Sequence, residues 1–479
     1  MADYDLIIAG TGFAASFFLH RYLQHAPKNA RVLVLERGER VEQHRPGPFA
    51  SKHRLSEKRH TINRNPEKEW HFSVGFGGGS NCWWACTPRL LPNDFRIKTT
   101  YGVGRDWPLS YDDLETFYCD AEELLAVAGD SHDSPTPRSR PYPQPPHRFN
   151  GPDLAFKRAY PDAYFPQPSA RPTASTASGR PACCNNGVCS SCPIDSKYTI
   201  RREMGSCYAD PRVSLLTGAR LDLVTTRSNV VTGVEYDHRG VEKKASSDFV
   251  ALGTNAIFNP FTLLRSGISD AWVGKRLHEQ RSVMCSVDLR DVDNFQGSTS
   301  VTGNGYMFYD GLHRRNHAAC LIENHNYPAI RLTPGKWRKR MSLKFIFEDL
   351  PRERNRVVFD ERQPDKPVIT YAGQSSYAKR GMDRVGEYLK VLGEVIAIER
   401  VNSIQAHGSE SHILGTALMG NDSKTSVVDR SQLHHRYRNL AVLGGSSFPT
   451  SSPSNPTLTI CALSLWSAGQ IFGRSNAAS

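Results

Sequence analysis

No stretch of this chain approaches the run of about 18 consecutive apolar residues that a membrane span needs. The nearest, Thr457–Phe472, is interrupted by Ser464, Ser467 and Gln470, so a transmembrane segment is excluded. The N-terminus also lacks the basic-then-apolar order of a signal peptide: Asp3 and Asp5 stand where Lys or Arg belongs, and a glycine-rich turn follows at once. No secretory signal is expected. A cytoplasmic location is, with periplasmic co-export beside a partner subunit as the alternative. Cysteines number 11 in 479 residues, and an odd count in so long a chain argues against a disulfide scaffold. Acidic residues are in deficit, 48 against 60 basic, for a formal charge of +12. The excess is dispersed, with local clusters only at Lys52–His60 and Lys336–Arg340. Neither interleaves aromatics for base stacking, so no nucleic-acid partner is expected and a solvated basic surface is. An acidic protein or a membrane surface is the other partner such a balance suits.

What remains is a globular composition, 39% apolar and 23% charged, in a chain too long for one hydrophobic core. The first recognisable unit is local. Tyr4–Ile8 is an apolar run, Gly10-Thr11-Gly12 a turn, Phe13 to about His25 a helical pattern, and Arg31–Leu35 a second strand closed by Glu36. Strand, glycine turn, helix, strand, acid is the dinucleotide-binding order. Gly10 permits the tight turn, Gly12 lets backbone approach a pyrophosphate, and Ala15 packs helix on strand. Free N–H groups at the helix start favour the phosphates, and Glu36 is placed to accept bonds from ribose hydroxyls. A proline-rich stretch, Ser134–Pro172, is expected to be an extended connector without a core of its own. Strand-like segments run from Val213 to Leu252. Beyond Trp272, aromatic-rich strands at Tyr306–Tyr309, Met341–Phe347 and Val357–Asp360 suggest a separate antiparallel sheet. Asn439–Leu443 is a further buried strand, and a helix runs from about Pro456 to Ile471. The expected class is α/β: a Rossmann-type domain in three pieces (residues 1–110, 196–271 and 426–479), a connector and cap at 111–195, and a substrate domain at 272–425.

Several motifs recur in a fixed order: Gly77-Gly78-Gly79-Ser80-Asn81, Asp94-Phe95, Asp106-Trp107-Pro108, Leu263-Leu264-Arg265, His412-Ile413-Leu414-Gly415-Thr416, Ser446-Ser447-Phe448-Pro449 and Asn455-Pro456-Thr457 with Thr459. Together they resemble the glucose–methanol–choline (GMC) family of FAD oxidoreductases over nearly the whole chain. The stretch from Gly78 to Arg89 is most similar to the sugar-oxidising branch of pyranose 2-oxidases, glucoside 3-oxidases and sugar dehydrogenases. The resemblance implies FAD, oxidation of a CH–OH group of a sugar, glycoside or polyol, and either oxygen or a cytochrome or quinone as electron acceptor. Non-sugar alcohol oxidation and an electron-transfer subunit are the alternatives. His412 matches the family's imidazole before the flavin and is expected to be the base that frees hydride for the flavin N5. A neutral imidazole suits that role. Asn455 matches its partner and is expected to donate a hydrogen bond to the substrate oxygen. The implied cofactor contacts are Gly10, Gly12, Ala15, Glu36 and Arg37 at the first turn, and Gly78, Gly79, Ser80, Asn81, Cys82 and Trp84 at the second. Leu221, Ala251 and Gly253 follow in the middle, then Gly445, Ser446, Pro456 and Thr457 at the end.

Three features depart from the family. Cys82 stands where pyranose oxidases bond a histidine to the flavin, which leaves covalent and dissociable FAD both open. Glu279-Gln280 stands where Asp-His is common, so a second imidazole is missing there. The run Cys183-Cys184…Cys189…Cys192-Pro193 resembles that of the iron–sulfur-bearing sugar dehydrogenases, which hold a 3Fe-4S cluster beside FAD, but its last gap is one residue shorter. Four such thiols suit an iron–sulfur cluster, a zinc site, or a structural role or disulfide. His407 and His434-His435 fit no family position and are expected at the surface or behind the site.

Overall fold

The runs Leu6–Ala9 and Val32–Glu36 are buried along their whole length, as strands of a parallel sheet covered on both faces must be. The computed structural model describes residues 2–40, 57–187, 189–326 and 329–473; most of the Lys52–His60 basic cluster lies outside them. In chain order the first elements are β1 (Leu6–Ala9), α1 (Phe13–His25), β2 (Val32–Glu36), α2 (Tyr111–Leu125), α3 (Gly151–Ala159) and β3 (Tyr164–Pro166). There follow β4 (Val213–Thr217), β5 (Ala219–Arg227), β6 (Val230–His238), β7 (Val241–Ser246), β8 (Val250–Leu252) and α4 (Asn255–Arg265). The remainder is β9 (Arg281–Leu289), β10 (Val301–Phe308), β11 (Cys320–His325), β12 (Arg340–Phe347), α5 (Ser376–Met382), α6 (Val385–Ile396), β13 (Ile398–Ala406), β14 (Leu440–Val442) and α7 (Thr457–Phe472).

Five of these strands form a parallel sheet in the order β14-β8-β1-β2-β4, with β5-β6-β7 an antiparallel meander beside it. Helix α7 packs on α1 through Phe472 against Phe18 and Tyr22, with ring centroids 6.0 and 4.8 Å apart. It meets α2 through Trp466 and Phe117. Among the described residues no helix is long and apolar enough to cross a membrane. The chain is thus α/β, with a Rossmann-type sheet and a separate antiparallel one.

The antiparallel sheet has the order β13-β9-β12-β11-β10-β3. Its side chains alternate, as the pleat requires. Val283, Cys285 and Val287 of β9, Ile322 of β11, and Leu343, Phe345 and Phe347 of β12 form a core with Phe156 of α3, Tyr377 of α5, and Leu389, Leu392 and Ile396 of α6. The intervening positions, Met284, Glu323 and Lys344, are direct cross-strand neighbours on the opposite face. A buried charge cluster ties this sheet to the segment before α2: Arg314 Nη2 lies 2.8 Å from Asp94 Oδ1 and 2.7 Å from Glu348 Oε2.

Two expectations need correction. The proline-rich stretch is not all extended, because Asn150 caps α3 by accepting from Asp153 N, Asp153 returns the bond, and Phe156 and β3 then join the antiparallel sheet's core. The strand near Val357 is Arg356–Val358, and it pairs with Val368–Thr370 in a small separate sheet rather than in the large one.

Candidate active site

The turn after β1 is built for close approach. Gly10 has φ +93°, and a Cβ there would stand 2.7 Å from the Gly253 carbonyl oxygen. A Cβ on Gly12 meets nothing within 4 Å, so open space lies in front of the α1 N-terminus, where unpaired N–H groups favour an anion. Glu36, at the end of β2, is held by Thr11 Oγ1 (2.6 Å) and the Gly38 N–H (2.9 Å), and burial raises its carboxyl above the usual range. Arg37 beside it lies over the Phe258 ring, and burial brings its guanidinium down to about 10.

These residues open one end of a cavity of about 750 Å³ that continues to His412 and Asn455. Its length of wall, from glycine turn to imidazole, suits an extended dinucleotide, so the residues fit FAD. Gly10, Gly12, Glu36, Arg37, Gly78, Gly79, Cys82 and Trp84 line it, as do Leu221, Gly253, Gly445, Pro456 and Thr457. Five expected contacts instead stand behind the wall. Ala15 fills the space in front of Gly253, where an added Cβ would meet its own at 2.8 Å. Ala251 is buried in β8. Ser80 donates to the Gly77 carbonyl, Asn81 to that of Phe76, and Ser446 to that of Leu443. Each of these holds backbone in place and has no side-chain atom to spare for a ligand.

The imidazole end is set by two residues just before β9. Glu279 Oε1 accepts from the His412 N–H at 3.0 Å and from Ser409 Oγ at 2.9 Å. Its other oxygen is bonded by Lys68 in a buried ion pair. Gln280 Oε1 lies 2.6 Å from His412 Nδ1, while Gln280 Nε2 donates to the carbonyls of Ser452 and Ser454. Those carbonyls can only accept, so the amide oxygen is the end that faces the ring. His412 Nδ1 must therefore carry the proton, and Nε2 is left as the acceptor. Burial lowers the His412 pKa; Glu410 opposes this, Lys344 adds to it, and Glu279 and Glu323 oppose it. The imidazole is neutral at physiological pH. Asn455, immediately before α7, lines the same cavity, and its Oδ1 has no partner among the described residues.

The chamber wall around His412 also holds Trp84, Met284, Glu323, His325, Lys344, His407 and Glu410. Composition gave no hint of the strand residues among them, Met284, Glu323, His325 and Lys344, whose alternation reads as an ordinary solvent face. His407 is exposed, as expected, and also lines the chamber, with Nδ1 3.3 Å from Glu410 Oε1. His434 and His435 stand apart, bonded to Asp270 and Ser426. The Glu279-Gln280 departure was visible in sequence, but its consequence was not.

The thiol run does not gather. Arg171 Nη1 donates to Cys189 Sγ at 2.7 Å, and Cys189 donates to Ser300 Oγ at 2.9 Å. Cys183 lies 3.5 Å from Thr299 Oγ1, and Cys184 is exposed. Among the described residues no three His, Cys, Asp or Glu are arranged to hold a metal ion. Cys183, Cys184, Cys189 and Cys192 therefore do not present an iron–sulfur or zinc ligand set among the described residues, and the buried Arg171 guanidinium is bonded to Cys189 instead. All are free thiols, which supports the structural alternative without a disulfide.

Comparison with known proteins places this geometry. The family model described as GMC oxidoreductase matches residues 351–464. The chain is 26% identical to the fructose dehydrogenase large subunit of Gluconobacter japonicus, over 98% of this chain and 97% of that one. It is likewise 26% identical to paromamine 6'-oxidase of Streptomyces fradiae, over 98% and 91%. Among solved structures it is similar to an FAD-dependent oxidoreductase from Chaetomium thermophilum, with a TM-score of 0.71 at 15% identity and full coverage of both chains.

Proposed function

We propose, for a chain that belongs to the GMC oxidoreductase family, that it oxidises a CH–OH group of a sugar, glycoside or related polyol to the carbonyl, with FAD as cofactor. The observation that carries this reading is the neutral imidazole of His412, with Nδ1–H committed to Gln280 and Nε2 free to accept, on the wall of a cavity that begins at a dinucleotide cradle. Relatives named for fructose and paromamine oxidation support the substrate class.

Bound FAD supplies the acceptor for the carbinol hydride. The chain supplies the rest. His412 Nε2 takes the hydroxyl proton, which leaves an alkoxide-like oxygen; as its lone pair forms the carbonyl, the C–H bond of the carbinol carbon breaks and the hydrogen leaves as hydride. Asn455 donates a hydrogen bond to that oxygen and stabilises its charge. The imidazolium so formed is favoured by the carboxylates of Glu410, Glu279 and Glu323. Gln280 and Glu279 act through His412 as positioning residues. The electron acceptor that closes the cycle is oxygen or a redox partner of the cytochrome or quinone type. Anaerobic mixing of the yellow holoenzyme with a sugar panel tests the reading: bleaching of the flavin by at least one sugar that His412→Ala no longer permits is the expected result. A parent flavin that no alcohol in the panel reduces overturns it.

A further inference from the structure

The face of the antiparallel sheet turned toward the chamber carries one anomaly. Met284, Lys344 and Glu323 are adjacent across β9, β12 and β11 and all line the cavity. The obvious partner for Glu323 is Lys344, its direct cross-strand neighbour. Yet the Lys344 ammonium is bonded to Glu410, which also takes Ser282 Oγ and faces His407 Nδ1. Glu410 is thereby satisfied, whereas Glu323 is left with His325 Nε2 at 3.6 Å from Oε2 and no partner for Oε1 among the described residues. Glu323 is only 3% exposed. A carboxylate so buried is costly unless hydrogen-bond donors meet it, and His325 and Lys344 nonetheless hold it in the charged form. Glu323 Oε1 is thus a buried acceptor that no described residue meets.

We infer that Glu323 is the specificity-determining residue of the chamber, accepting hydrogen bonds from a non-reacting donor group of the substrate, a hydroxyl or an ammonium on a sugar ring. This rests on the alcohol-oxidising reading of the site and names what that reading leaves open. A simple alcohol leaves the carboxylate unmet; a ring with a second polar substituent answers it. The class is thus a polyhydroxylated or amino-substituted pyranoside rather than an aryl or aliphatic alcohol.

The test uses holoenzyme and follows anaerobic flavin reduction with methyl glucopyranoside, the amino sugar methyl glucosaminide, and the monohydric alcohol 1-butanol. The parent is expected to prefer one of the two rings over butanol. Glu323→Ala is expected to shrink that preference by roughly 10- to 100-fold, the worth of a hydrogen bond to a charged group, mainly through KM. Because the preference is a ratio within one preparation, incomplete folding cancels. Glu323→Gln keeps an acceptor and loses the charge, so it largely retains the preference for the neutral ring if the donor is a hydroxyl and loses that for the amino sugar if it is an ammonium. An unchanged ring-to-butanol ratio in Glu323→Ala, or a parent with no preference for a ring, overturns the inference while leaving alcohol oxidation standing. No reduction by any of these or by the wider sugar panel takes down the proposed function itself.

Discussion

Replacing Gln280 by Leu keeps the volume beside His412 and removes one acceptor and two donors. In the parent, the amide is oriented by the Ser452 and Ser454 carbonyls and fixes the proton on Nδ1. Without it, nothing selects between the two neutral tautomers, and the wrong one presents an N–H where the substrate proton must go. The bond at 2.6 Å strengthens as the ring becomes an imidazolium, so its loss weighs most on the step in which Nε2 takes the proton. A hydrogen bond to a group that becomes charged is worth about 1.5–3 kcal/mol, which is roughly 10- to 100-fold in rate. The limiting rate of anaerobic flavin reduction should fall by that factor with little change in KM. The pH profile gives the second readout. His412 titrates below the ordinary 6.5 because burial disfavours its charge, so the parent rate rises with pH and levels off below neutrality. Loss of an acceptor that favours the imidazolium lowers this pKa further, so the limb moves to lower pH while the plateau drops. A variant whose limiting rate stays within twofold of the parent, with its limb unmoved, refutes the tautomer argument.

His412→Ala should retain FAD and reduce it about 10²–10⁴-fold more slowly; stopped-flow reduction is the measurement, and a rate near the parent's removes the base assignment. Asn455→Ala withdraws one oriented bond and should show a smaller loss in the same assay, so a loss equal to that of His412→Ala contradicts the division of roles. Gly10→Ala forces a side chain into a φ of +93° and against the Gly253 carbonyl; the purified protein should carry markedly less flavin per chain, read from the ratio of flavin to protein absorbance. Arg314→Met leaves Asp94 and Glu348 buried without their counter-ion, at a cost of about 3–5 kcal/mol, to be seen as a lowered unfolding midpoint. Burial already lifts Asp94 to about 6 beside that arginine, so the loss should be larger at neutral pH than in mild acid, where the carboxyls take up protons.

The parts legible in sequence are those whose signal is local. Gly10, Gly12 and Glu36 sit within one strand–helix–strand unit, and the short motifs at His412 and Asn455 hold their residues at fixed offsets. The α/β class and the final helix followed from the same short-range patterns. Gln280 was visible as an oddity, but its role depends on two carbonyls 172 and 174 residues away, and no spacing rule reaches so far. Glu323 and Lys344 were hidden for a different reason. Their alternation with core residues is that of any half-exposed strand, and only the cavity turns that face into a binding wall. The thiol run was open in sequence between a metal cluster and structural thiols, because the Arg171 guanidinium that donates to Cys189 comes from 18 residues away.

The strand order β14-β8-β1-β2-β4 has a consequence for synthesis. The phosphate cradle is written within the first 36 residues, yet β1 is flanked on one side by β8, near residue 250, and that strand by β14, near residue 440. The helix that covers α1 ends at Phe472. A nascent chain emerging from the ribosome therefore carries the nucleotide-binding turn with β2 as the one strand beside β1 until residue 252 is made, and without β14 or the covering helix until much later. Completion of the sheet and of the cavity wall, which includes Asn455, therefore waits on segments far from the glycine turn in sequence. Chains cut before α7 are expected to hold little flavin.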